Sequence, residues 1–200
     1  MNEHFDVKTN SAVVKSAKIM HLCSSVIFLI AGLLVVLVPD FEDYQSFGMI
    51  VVGVASIVIG ATGVYGYFSN DMYRLAFQSD FALGIFNVIF GILLIINPTR
   101  LSILLPTAIS ILTLLDGGNK AQVAIEGQRF GISKWYLVVA SAVLEIAAGV
   151  VLMILTYHGL ADASRILMGI AMGVVGVTNF WTTMYTVRIR ENHQIFTNKE

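Results

Sequence analysis

Six long stretches of this chain, each with at most two charged side chains, leave little choice of fold. They run approximately over residues 19–38, 46–67, 81–97, 101–118, 134–157 and 163–186. Roughly 20 helical residues, rising about 1.5 Å each, cross a hydrocarbon core of about 30 Å. A soluble domain needs about a quarter of its residues charged to keep its surface wet, whereas only 12% are charged here and 56% are hydrophobic. The expected fold is therefore an all-α integral membrane protein with six transmembrane helices. A cytoplasmic segment, 1–18, precedes the membrane domain, 19–186, and a cytoplasmic tail, 187–200, follows it.

The first apolar run is longer than the roughly 7–15 residues of a secretory core and ends in PDFEDY rather than at a small-residue cleavage site, so it reads as a retained helix. Cys23, the single cysteine, permits no internal disulfide, and no C-x-x-C metal or redox motif exists. Ten of the twelve basic residues fall on one side of the predicted topology, and only Arg100 and Arg165 fall opposite. Lys and Arg accumulate on the cytoplasmic face, which predicts cytoplasmic termini in a multi-pass protein of the cell membrane. A formal net charge of −1, without a basic cluster interleaved with aromatics, argues against nucleic acid as a partner. The lipid bilayer is the partner expected, with a homo-oligomer or another membrane protein left open.

Internal similarity then organises the spans. GLLVVLVP at 32–39, GILLIINP at 91–98 and GVVLMILT at 149–156 begin 59 and 58 residues apart. Their companion helices end in GATG (60–63), DGGN (116–119) and GVTN (176–179). Three tandem helical hairpins follow, covering about 19–67, 81–118 and 134–186. Each returns the chain to the same side, as parallel repeats about an axis along the bilayer normal do. The G-x6-P signature, the DGGN turn and KWYLVVASAVLEIAAGVVLMI resemble the HdeD family of acid-resistance membrane proteins over about 19–186, with Thr156 standing where the other units have Pro39 and Pro98. That resemblance implies a bacterial-type inner membrane and a part in acid stress, and it supplies no catalytic residue.

Glu145 is the most informative side chain. It lies between Trp135 and Tyr157, whose rings favour the two interfaces, and is therefore near mid-depth. An ionised group there costs about 2.5–3.5 kcal/mol on insertion scales, and such acids turn inward. Ser141, Ala142, Ala148 and Gly149 share its face and make a seam of small residues. Four residues before the three aligned glycines stand Phe28, Asn87 and Glu145, while Asn179 continues the line of Gly169, Gly173 and Gly176. Convergence would let Asn87, Glu145 and Asn179 hydrogen-bond about one axis. Glu145 is then either neutral, hydrogen-bonded glue or a titrating group in transport of a proton or small cation; transport routes usually show several such groups.

Other features have plainer readings beside their functional ones. The fourth span is short and contains Pro106, which marks either a binding site or simply a kinked helix ending at DGGN, with Asp116 an interfacial acid or a carboxylate at the cytoplasmic mouth. Gly84 and Gly91 flank Asn87, and with Gly149, Gly169, Gly173 and Gly176 they are expected to line helix contacts; Gly53, Ser56, Gly60 and Gly63 repeat the device. Asp40, Glu42, Asp43, His158 and Asp162 form an acidic outer patch that loses negative charge on acidification, as an acid sensor or any solvated loop would. His21 reads as interfacial rather than as a ligand. Residues 120–135 are expected to be a short surface helix or a soluble connector, weakened by Gly127 and Gly131. No phosphate-binding loop, nucleophile elbow or zinc-protease motif occurs, so neither an enzyme nor a cofactor is expected. The leading expectation is a non-enzymatic protein of acid or envelope stress tolerance. A small proton-coupled transporter or channel using Glu145, or a membrane scaffold for a partner protein, is the alternative.

Overall fold

The computed structural model describes residues 11–38, 45–68, 80–101, 104–129, 131 and 134–186. Asp40, Glu42 and Asp43 lie outside the described residues, as do the first ten residues and those from 187 onward. Among the described residues every regular element is a helix and there is no strand: α1 (Ser11–Leu37), α2 (Gln45–Tyr67), α3 (Asp80–Ile96), the single turn α4 (Pro98–Leu101), α5 (Leu105–Arg129), α6 (Trp135–Tyr157) and α7 (Ala161–Thr186).

Four helices are long and apolar enough to cross a membrane, over Val14–Leu37, Met49–Tyr67, Trp135–Tyr157 and Ala161–Thr186. The apolar part of α3, Phe81–Ile96, is shorter. The fourth expected span takes a different form. In place of a helix over 101–118 that stops at DGGN, α5 starts at Leu105 and continues through Gly117 and Gly118 to Arg129. Pro106 sits in its first turn, where a missing N–H costs no helix bond, so it causes no kink. The helix carries on because Gly117 lies against α6, where a Cβ would meet the Ala142 carbonyl oxygen at 3.1 Å, and because Lys120 beyond it is buried. Residues 120–129 are thus neither a connector nor a surface helix, and Lys120, Ala124 and Gly127 are buried.

The packing also departs from three self-contained hairpins. The most extensive contacts are α2 with α3, α1 with α7 and α5 with α6; α1 with α2 and α6 with α7 touch less, and α3 and α5 barely meet. Each helix thus packs best on a helix of the neighbouring hairpin, and α7 closes back onto α1. The reason is where the glycines lie. A Cβ at Gly91 would sit 2.5 Å from the Gly53 carbonyl oxygen, one at Gly169 2.6 Å from that of Gly32, and one at Gly149 3.1 Å from that of Ser110. Seven residues before the aligned glycines, Ser25, Gly84 and Ala142 meet Gly176, Gly60 and Gly117. Small residues let these backbones approach, and dispersion between them holds helices together where lipid gives no hydrophobic drive. Gly173 differs: nothing lies within 4 Å of a Cβ built on it.

Three contacts fix which ends share a side. Ser16 bonds the Tyr65 hydroxyl at 2.9 Å, Lys18 donates to the Met184 carbonyl at 3.4 Å and Lys134 donates to the Tyr185 hydroxyl at 3.2 Å. At the other end Arg165 donates to the carbonyls of Val35 and Val38, satisfying groups that the end of α1 leaves open. There α6 ends at Tyr157 and the chain turns away at Gly159, whose φ of 68° few side chains tolerate. Its N–H bonds the Thr156 carbonyl and that of Leu160 the Leu155 carbonyl, the paired bonds of a Schellman stop. An apolar cluster fills this half of the bundle, with Val35, Met49, Leu94, Leu105, Leu152, Met168 and Met172 among its members. Outward faces carry exposed Leu33, Ile89, Leu93, Val143, Leu144 and Val177, a surface suited to lipid.

Candidate functional site

The other half of the bundle is polar inside. From α5, Asp116 and Lys120 face the same way, one turn apart, and the Lys120 ammonium donates to Asp116 Oδ2 at 2.9 Å. Lys120 also donates to Glu145 Oε1 on α6 and, at 3.1 Å, to the Thr178 hydroxyl on α7. Thr178 contacts Glu145 Oε1 too, with its hydroxyl as donor. Asn179 Nδ2 donates to Asp116 Oδ2 at 3.2 Å. Three helices are therefore joined through one ammonium, whose three N–H groups meet three acceptors.

Burial makes this network costly to disturb. Glu145 is 0% exposed and Lys120 3%, while the Asp116 side chain keeps 25% of its surface. Charges taken out of water are tolerated only when paired and hydrogen-bonded. Glu145 Oε2 has no hydrogen-bond partner.

Beside the network lies a cavity of about 130 Å³, walled by α1, α2, α3, α5 and α7. Asp116, Asn119, Lys120 and Asn179 line it with Phe28 and Asn87, as do His21, Thr182 and Thr186. Phe28 and Asn87, two of the three repeat-equivalent positions, therefore face one space. Glu145, the third, reaches its border through Lys120. The apolar cluster at Ile109 and Val35 stands between this cavity and the opposite end.

Four intramembrane polar residues were expected to matter. Glu145, Asp116 and Asn179 belong to one network. Asn87 does not join it, since its Nδ2 donates to Leu83 of its own helix at 3.0 Å. Direct bonding among Asn87, Glu145 and Asn179 is replaced by bonds through Lys120 and Asp116. Lys120, which the expected loop at 120–135 places in water, and Thr178 complete the site without having stood out in the sequence. One signal was present: Asp116 and Lys120 are four residues apart, the spacing of a helical ion pair. In the outer patch, exposed His158 and Asp162 flank the α6–α7 turn, with Asp162 in the first turn of α7, where an acid favours the helix dipole. Asp40, Glu42 and Asp43 lie outside the described residues. Among those residues no cluster of three metal-ligating side chains occurs.

A family model described as a short repeat of unknown function, DUF308, matches the chain twice, over residues 23–96 and 82–154. The chain belongs to the DUF308 family. The DUF308 matches start 59 residues apart, the spacing that separates Gly32 from Gly91. Each takes in Asn87, and the second also contains Asp116, Lys120 and Glu145, so all three charges of the network fall within a single DUF308 match. No curated protein and no solved structure was found to match the chain.

Proposed function

We propose that this DUF308 protein is a non-enzymatic, six-span protein of a bacterial-type cell membrane, with both termini cytoplasmic, that supports acid or envelope stress tolerance. The observation that carries this reading is the buried Asp116–Lys120–Glu145 network between α5, α6 and α7. Two carboxyl groups share one ammonium, so a proton taken up by either weakens a contact that joins three helices. The resemblance to the HdeD family supports the same direction. Lys15, Lys18, Arg129 and Lys134 at the cavity end favour a cytoplasmic mouth. The six spans take in the short α3 and the apolar first half of α5, and three tandem units account for the matching glycine seams.

A transport role for Glu145 keeps one observation in its favour, the cavity that reaches Lys120. Against it stands the apolar cluster closing the other half, so conduction would require that cluster to part. The test is survival of an acid challenge by cells lacking the protein. Wild type restores survival, and Glu145→Gln, which keeps the shape and removes the charge, restores less. Equal survival with wild type and with empty vector would sink the stress role. Proton flux in proteoliposomes that vanishes in Glu145→Gln would favour transport instead.

A further inference from the structure

The cavity wall presents several acceptors that the protein leaves unengaged. All three N–H groups of Lys120 are taken up within the network. Asn87 and Asn179 each commit one N–H of Nδ2 to the protein, to Leu83 and to Asp116. Their amide oxygens accept no hydrogen bond among the described residues. Asp116 uses Oδ2 for both of its partners, which leaves Oδ1. Thr182, 9% exposed and also on the wall, has a buried hydroxyl without a partner. A guest rich in N–H donors and positively charged meets these acceptors; an anion meets unengaged lone pairs and a carboxylate.

Size and lining narrow the class. A single water needs roughly 10–15 Å³ of cavity, and this one holds about 130 Å³. Phe28 and Val175 add apolar wall beside the oxygens. A bare metal ion would leave that space and surface unused. We propose that this cavity binds a small organic cation with a primary ammonium group, whose N–H donors reach Asp116, Asn87, Asn179 and Thr182 while its short alkyl body lies against Phe28 and Val175. Such binding does not depend on a role in acid stress.

Calorimetric titration of the purified protein in detergent with n-butylammonium tests this. Saturable millimolar binding is expected for wild type, with n-butanol and sodium at the same concentration giving none. Asp116→Asn weakens it by about tenfold or more, the loss of one charge-assisted contact. Thr182→Val lies off the ion-pair network and therefore leaves the fold intact; it weakens binding by a smaller factor. No saturable heat with wild type, equal binding of butanol or sodium, or unchanged affinity in both variants would overturn the assignment.

Discussion

Replacing Lys120 by methionine will destabilise the folded protein by about 3–5 kcal/mol, the usual cost of removing one partner from a buried ion pair. Methionine fills much the same space, so the loss is electrostatic. Glu145, 0% exposed, keeps only Thr178 as a donor. Asp116 suffers less, because it retains Asn179 and is 25% exposed. The double variant Lys120→Met/Glu145→Leu should regain most of the loss, since a well-packed apolar pair often matches or exceeds the ion pair it replaces. Denaturant titration in micelles, read through the intrinsic tryptophans, gives both numbers. A single-variant loss below about 1 kcal/mol, the range of an exposed pair, would mean that Lys120 is solvated.

Gly84→Leu carries the second large effect, a loss of about 3 kcal/mol or more from overpacking. A Cβ at position 84 would lie 2.7 Å from the Gly60 carbonyl oxygen and 2.9 Å from the Val64 backbone nitrogen. Both are backbone atoms, which cannot rotate aside as a side chain can, so α2 and α3 must separate. Gly118→Ala provides the contrast: it sits inside α5 with nothing within 4 Å of its Cβ. There the higher helix propensity of alanine should stabilise by up to about 1 kcal/mol. Comparable thermal midpoints for Gly84→Leu and wild type would show that the α2–α3 seam is not closely packed.

The apolar runs and the inward turn of Glu145 were legible because both follow from one-dimensional patterns: the length of an uncharged stretch and the helical spacing of small residues. DGGN was misleading for a physical reason. Two glycines after an acid ordinarily signal a helix stop, and here tertiary contact overrides it, with Gly117 packed on α6 and Lys120 drawn into a buried pair. Once that helix continues, Lys120 moves from the solvent to the interior, which no count of basic residues per loop reveals. Repeat spacing made the matching glycines visible but not their pairing. Gly32 meets Gly169, far along the chain from it, a closure that depends on how units surround one another rather than on any local signal.

If the end carrying Lys15, Lys18 and Lys134 is cytoplasmic, as proposed, the polar interior of a lipid-embedded bundle is reached from that side alone. A cysteine at Asn119, on the cavity wall, in a Cys23→Ser background, can be challenged with a membrane-impermeant thiol reagent in vesicles of each orientation. Labelling in inside-out vesicles and none in right-side-out ones is the predicted result. Labelling from the outer face, from both faces, or from neither would contradict it.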